Sequence, residues 1–163
     1  MEPNSIGEFT VFADYNMFFL LADMTEVPHL NSGFIDRLLT DLIAAAPGAV
    51  IVGTARRMEV PVNVCLCPEV QEGPEDTWDH VAEASIRTDT GIIHLVGDAS
   101  NPDDDISLTI PPGTYRVRVC SSGFDTLSED GLDGDDQYRL VLWPAAAQPA
   151  RVVKRYPKEL PGG

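Results

Sequence analysis

Short segments in which apolar and polar residues alternate, separated by turn residues, recur along most of this chain. After a Pro-Pro-Gly turn, Tyr115, Val117 and Val119 alternate with cationic residues, and a second such segment runs from Tyr138 to a stop at Pro144. This period is typical of half-buried strands. About nine or ten such segments, with no even, repeated hairpin length, predict a mainly β chain that forms an antiparallel β-sandwich rather than a barrel.

One early segment has a different period. Its apolar residues recur every three or four positions after a cap signal at Asn31-Ser32-Gly33, and Pro47-Gly48 follows it. This pattern predicts one amphipathic α-helix near residues 33–46, packed on a sheet.

The chain length bounds the domain organisation. With 163 residues, the chain is long enough for one two-layer core and too short for two. We expect a single β-sandwich domain over residues 9–156, a flexible N-terminus over residues 1–8 and a flexible C-terminal tail over residues 157–163.

Acidic charge is concentrated in the middle of the chain. The formal net charge is −15, and residues 69–136 contain 17 acidic and 3 basic residues. Nucleic acids are bound through lysine and arginine contacts to phosphate, so this balance argues against direct nucleic-acid binding. A basic protein is the complementary partner.

The segment from Asp125 to Asp136 is the strongest candidate for a binding surface. It holds six carboxylates and no lysine or arginine, between two clear strands. We predict that this segment and the acidic run before Ile106 together contact the cations of a basic protein, with Phe124 or Leu127 as an apolar anchor. The predicted partner-binding residues are Asp103, Asp104, Asp105, Phe124, Asp125, Glu129, Asp130, Asp133, Asp135 and Asp136.

Two alternatives use the same loop. Closely spaced aspartates with glycines supply the oxygen ligands that Ca²⁺ prefers, although their spacing does not match an EF-hand. The loop would then belong to a module that binds Ca²⁺ or a small ligand. A solvated loop on a structural β domain of no specific activity is the other alternative.

The sequence offers weak signals for catalysis or for a resident metal. No G-x-S-x-G elbow accompanies the three histidines, and an enzymatic site would need Asp79, His80 and Arg116 to converge. Cys65 and Cys67 have a spacing unusual for structural zinc. We therefore predict no enzyme activity, no catalytic residue, no metal and no cofactor, and we expect Arg116 and Arg118 to pair with carboxylates of the chain.

Cysteine usage and hydropathy bear on location. The sequence has three cysteines, no apolar run long enough to span a membrane and no basic start followed by an apolar stretch. An odd, small number of cysteines fits a reducing compartment. We expect a cytoplasmic protein with no membrane contact.

Several segments resemble the competence protein J family of small acidic bacterial proteins, which is known for nuclease inhibition. They are VIVGTA at 50–55, VPVNV at 60–64, WDHV at 78–81, GTYRVRV at 113–119 and GDDQYRLVLWP at 134–144. The resemblance implies a single-domain β protein that binds and silences a DNA-degrading partner. Together with the acidic charge, it predicts a non-enzymatic inhibitor or immunity-type protein that occludes a basic nuclease or toxin.

Overall fold

The computed structural model describes residues 4–13, 16–25, 32–56, 58–69, 77–97, 106–130 and 132–157. These residues form one α-helix, α1 (Ser32–Asp41), and eleven strands. The strands are β1 (Asn4–Phe12), β2 (Met17–Ala22), β3 (Ile43–Ala46), β4 (Ala49–Gly53), β5 (Glu59–Leu66), β6 (His80–Thr88), β7 (Ile92–Val96), β8 (Ile106–Thr109), β9 (Gly113–Ser122), β10 (Gln137–Pro144) and β11 (Arg151–Lys154).

The strands form two sheets. A six-stranded sheet has the order β1-β5-β10-β9-β6-β11, and a five-stranded sheet has the order β3-β4-β2-β7-β8. The mainly β prediction is confirmed, with two open sheets and no closed barrel among the described strands. The prediction of a purely antiparallel sheet is wrong, because β10 pairs with β5 in parallel, Tyr138 opposite Val62 and Leu142 opposite Leu66. This pairing is possible because β9, which is antiparallel to β10, finishes at the end of the sheet at which β5 begins.

A single large core lies between the sheets. Alternate residues of the six-stranded sheet, such as Val62 and Val117, are buried together with Phe18, Leu20 and Val52 of the five-stranded sheet. Period-two alternation in the sequence therefore reports the inward face of each strand. A smaller apolar cluster, which includes Leu38 of α1, covers part of the outer face of the five-stranded sheet.

The amphipathic helix predicted near residues 33–46 is not confirmed in that form. The helix ends at Asp41, Leu42 has a positive φ of 58°, and Ile43–Ala46 forms β3, paired with β4. A short apolar run fits both the helical period of 3.6 and the strand period of two. Residues 43–46 form a strand because they pair with the fully buried β4. Ile35, expected on the apolar face of the helix, is 39% exposed.

The predicted flexible N-terminus is also wrong over residues 4–8. Strand β1 begins at Asn4 and pairs with β5 from Asn4 opposite Leu66 onward, with an irregularity between Ser5 and Gly7. These residues lack an alternating pattern, and main-chain pairing with the edge of β5 orders them instead. Residues 158–163, most of the predicted C-terminal tail, lie outside the described residues.

Several connections meet at one end of the sandwich. There β1 and β9 finish and β5, β6 and β10 begin, as the pairings of Phe12 with Glu59 and of His80 with Ser121 show. The two sheets are joined at this end by Ala55 N–H, in the loop after β4, which donates to the Tyr138 hydroxyl of β10 (2.7 Å). We call this end, formed by residues 12–13, 53–56, 58–59, 97, 106, 122–130 and 132–137, the acidic end.

Candidate functional site

The loop between β9 and β10, residues 123–136, is closed by contacts between its two ends. Gly123 has a φ of +78°, and a Cβ atom there would lie 2.4 Å from Asp135 O. A short 3₁₀ turn, Phe124–Thr126, follows. Thr126 Oγ1 donates to Gly123 O (2.6 Å) and accepts from Asp135 N–H (2.7 Å). The start and finish of the loop are thus tied side by side.

Further hydrogen bonds order the middle of the loop. Ser128 N–H donates to Asp133 O (2.8 Å), and Asp133 N–H donates to Ser128 Oγ (3.0 Å). Asp130 Oδ1 accepts from Ser128 Oγ (2.5 Å) and from Leu132 N–H (3.0 Å). The hydrogen bond from Ser128 lowers the pKa of Asp130 from its usual value. The loop therefore presents its side chains from a defined main-chain conformation.

Five of the six carboxylates of this loop are exposed to solvent. They belong to Asp125, Glu129, Asp130, Asp133 and Asp135. None of them forms an ion pair with a lysine or arginine of the described chain. We call these five residues the loop carboxylates. Their negative charge is available to another molecule.

The sixth carboxylate, that of Asp136, is inside the protein. Asp136 is 0% exposed and forms an ion pair with Arg56, whose Nε lies 2.7 Å from its Oδ1. The Tyr138 hydroxyl donates to Asp136 Oδ2 (2.7 Å) and accepts from Ala55 N–H (2.7 Å). Burial, and then the charge of Asp136, raise the pKa of Tyr138.

The prediction that Asp136 contacts a partner is therefore contradicted. Its carboxylate joins the start of β10 to the loop that follows β4. A signal for this is present in the sequence: Asp136 precedes Tyr138 and Leu140 at a period of two, and both of these residues are buried. Extending that period back by one step places Asp136 on the inward side.

Phe124 is also buried, so it is not an exposed anchor. It is 2% exposed, and its ring lies 5.0 Å from that of Tyr156 and 6.4 Å from that of Tyr138. Its N–H donates to Asp79 Oδ2 (2.9 Å). The other candidate, Leu127, is partly buried against the core. The large apolar side chain that the loop does expose is Leu132, at 37%.

The second acidic run lies outside the described residues. Asp103, Asp104 and Asp105 belong to residues 98–105. The residues on either side of that run are described. A Cβ atom on Gly97 would lie 2.3 Å from Phe12 O, and Ile106 pairs with Leu95 near the end of β7. Both flanks are thus at the acidic end.

The three residues of the enzymatic alternative do not converge. His80 and Arg116 pair with Ser121 and Ser85, so they are separated by about 17 Å along β6. Arg116 donates to Ser85 Oγ, Gln148 O and Pro149 O. Its hydrogen-bonding groups are used within the chain.

Arg116 and Arg118 pair with a carboxylate of the chain, as expected. Glu83 is 3% exposed and lies 2.8 Å from Arg118 Nε and 3.4 Å from Arg116 Nε and Arg151 Nε. Arg118 also lies over the ring of Trp143, 5.2 Å from its centroid. The sequence did not identify Glu83 as the shared partner, because the neighbours across β6, β9 and β11 are set by register.

The described residues do not gather metal ligands. No group of three or more His, Cys, Asp or Glu side chains in the described part is placed to hold a metal ion. Cys65, Cys67 and Cys120 are buried and form no disulfide. Burial is the main cause that raises the pKa of the Cys67 thiol.

The described part also has no helix that is long and apolar enough to cross a membrane.

This chain is similar to known proteins in its structure. No protein-family model matches this sequence, and no curated protein matches it. The crystal structure of ComJ from Bacillus subtilis, described as an inhibitor of the DNA degrading activity of NucA, superposes with a TM-score of 0.68 at 15% identity, covering 89% of this chain and 100% of ComJ.

This chain has a ComJ-like fold. A second solved structure, described as crocagin biosynthetic gene J, superposes with a TM-score of 0.58 at 19% identity, over 90% of this chain and 100% of the other. The resemblance to the competence protein J family is thus confirmed at the level of fold.

Proposed function

We propose that this protein is a non-enzymatic inhibitor or immunity-type protein that acts in the cytoplasm by binding and occluding a basic nuclease or toxin. Its fold is similar to that of ComJ, whose structure is described as an inhibitor of a DNA degrading activity. Fold alone does not determine function, so the proposal rests on the surface of this chain.

The observation that carries the proposal is the exposure of the loop carboxylates on an ordered loop without basic partners in the described chain. An enzyme that degrades nucleic acid holds phosphates with lysine and arginine side chains. Carboxylates held at defined positions pair with the same cations and compete for them. The net charge of −15 also speeds encounter with a cationic surface.

The proposed contact surface covers the acidic end. Its centre is the loop carboxylates, and the exposed Leu132 replaces the buried Phe124 as the apolar contact. Asp103, Asp104 and Asp105 contribute a second set of charges, because both flanks of their segment lie at this end. Apolar contacts surrounded by charge are typical of protein interfaces, in which a few residues supply most of the affinity.

Variants in which carboxylates are replaced by uncharged amides test this surface. The test variant changes Asp130, Asp133 and Asp135 to Asn, and the matched control changes Glu8 to Gln, and Asp36 and Asp89 to Asn. All six positions are exposed, so both variants lose three negative charges from the surface. Binding is measured by surface plasmon resonance with a purified basic nuclease that the native protein inhibits, and inhibition is measured by DNA degradation.

We expect the test variant to associate about tenfold more slowly than the control at low salt, since charges close to the interface dominate steering. The difference should shrink at 0.5 M salt, where screening acts over a few ångströms, about 4 Å. Equal association rates for the two variants, or binding that does not respond to salt, would contradict the proposed surface.

A further inference from the structure

The last residue of β11 and the two residues after it contact three separate parts of the chain. Lys154 Nζ donates to Trp78 O (2.7 Å). Arg155 donates to Thr40 O and to Asp41 Oδ1, the latter at 2.7 Å. The ring of Tyr156 packs edge-on against Phe124, with centroids 5.0 Å apart. We call residues 154–156 the C-terminal strap. It connects the end of α1, the segment before β6 and the start of the loop between β9 and β10.

One buried histidine holds the strap against α1. His80 is 2% exposed. Its Nε2 lies 2.6 Å from Asp41 O, at the end of α1. Tyr156 N–H donates to its Nδ1 (3.1 Å). A main-chain N–H only donates, so Nδ1 must be the unprotonated acceptor, and Nε2 must carry the hydrogen that Asp41 O accepts.

Both hydrogen bonds of the His80 ring can form when the ring is neutral, and one of them is lost when the ring is protonated. A proton on Nδ1 would face the N–H of Tyr156, so two donors would oppose each other inside the protein. Such a contact removes the hydrogen bond and leaves the Tyr156 N–H without an acceptor at this ring. The hydrogen bond from Nε2 to Asp41 O survives, because that nitrogen carries hydrogen in both states. Protonation therefore acts on the strap and spares the contact with α1.

From these contacts we infer that the C-terminal strap is a pH-sensitive latch, closed while His80 is neutral and released from Tyr156 when His80 gains a proton. Release separates Tyr156 from Phe124 and uncovers the apolar base of the loop that carries the loop carboxylates. The inference concerns the chain by itself and does not depend on the proposed partner.

The charged groups around the His80 ring influence the pH at which the latch opens. Asp41 of α1 favours the charged ring, and Arg155 of the strap disfavours it. Asp79 and Asp125 lie close enough to Tyr156 to help raise the pKa of its phenol, although burial is the larger cause. For His80 the largest effect is burial, and the net result is a pKa below the usual histidine value. Opening is thus expected in mildly acidic solution, below a pH of about 6.5.

Amide hydrogen exchange with mass spectrometry tests the latch. Peptides that cover residues 151–157 are followed at pH 7.5 and pH 5.0, with rates corrected for the intrinsic pH dependence of exchange. Peptides from the centre of β5 and β10 report whether the domain stays folded. The comparison variant is His80→Gln, whose amide can accept from Tyr156 N–H and donate to Asp41 O but does not titrate.

In the native protein we expect protection of the strap to fall about tenfold between the two pH values, the equivalent of one hydrogen bond, while β5 and β10 stay protected. The strap of His80→Gln should show the same protection at both. Unchanged protection in the native protein would overturn the inference, and so would an equal loss in His80→Gln, which would show that the effect does not come from His80. If His80→Gln does not fold, Tyr156→Pro provides the second test: it lacks the main-chain N–H that His80 Nδ1 accepts, so its strap should be open at both pH values, and a retained pH dependence would refute the latch.

Discussion

Asp135 and Asp136 are adjacent carboxylates with opposite environments. Replacing each with Asn tests whether Asp136 forms a buried ion pair while Asp135 is exposed to solvent. Asp136 is 0% exposed and pairs with Arg56, whose side chain is 15% exposed. Asp135 is exposed and has no basic partner in the described chain. Each substitution removes one charge at nearly constant volume. Sequence reasoning treats the two alike, whereas the structure separates them.

The expected cost at Asp136 follows from the loss of a buried counter-ion. Breaking a buried ion pair by removing one partner costs about 3–5 kcal/mol, because the remaining charge stays desolvated. The Asn side chain still accepts from the Tyr138 hydroxyl, and Arg56 keeps some contact with water, so we expect the lower limit, about 3 kcal/mol. Asp135→Asn should change the free energy of unfolding by less than about 0.5 kcal/mol.

Urea unfolding followed by fluorescence measures both effects. With a slope of about 2 kcal/mol per molar urea, Asp136→Asn should lower the midpoint by about 1.5 M at unchanged slope, and Asp135→Asn by about 0.25 M or less. Adding Arg56→Met to Asp136→Asn removes the stranded charge and should recover part of the loss. Equal midpoints for the two single variants would refute the buried network, as would a double variant whose losses simply add.

Two further predictions concern pH and the loop. Burial raises the pKa of Glu83, but the ion pairs with Arg118 and its neighbours outweigh burial, so the pKa lies below its usual value. Ionised Glu83 therefore stabilises the fold fully above the unfolded-state pKa of about 4.3. This stabilisation is lost as the pH falls through the lower folded-state pKa. Urea midpoints from pH 6 to pH 3 should fall more steeply for the native protein than for Glu83→Gln, and parallel curves would count against this. Gly123→Ala combines a positive φ with a clash against main chain, and should lower the free energy of unfolding by about 2 kcal/mol or more. Gly134→Ala, where the nearest atom is the end of the Leu127 side chain, should cost less in the same urea assay, and an equal cost would contradict the strain argument.

Most strands were predictable because their inward residues follow a period of two, as Tyr115, Val117 and Val119 do in β9. Their neighbours were not predictable, since periodicity identifies a face and carries no information on pairing. The parallel contact of β5 with β10 is the clearest case. Residues 43–46 show a second limit, because Ile43 and three alanines suit a helix or a buried strand, and the open edge of β4 decides between them.

The candidate site was predicted in part. Local charge density identified the loop, and the structure exposes its five loop carboxylates. The burial of Asp136 follows the period of Tyr138, but its ion pair with Arg56 and the contact of Phe124 with Tyr156 join distant parts of the chain. Such contacts leave no local pattern. His80 was expected to be a hydrogen-bonded structural residue, and its two partners, Asp41 and Tyr156, agree with that expectation.

The parallel pairing of β5 with β10 has a consequence for how this protein is made in the cell. Strand β5 ends at Leu66 and β10 begins at Gln137, so the ribosome adds 70 residues before the two can meet. At typical translation speeds this takes about 4–14 s. During that interval one side of β5 is an open hydrogen-bonding edge beside the apolar Val60, Val62 and Val64. The nascent chain therefore depends on chaperones, or on the early pairing of β1, to avoid aggregation until synthesis of β10.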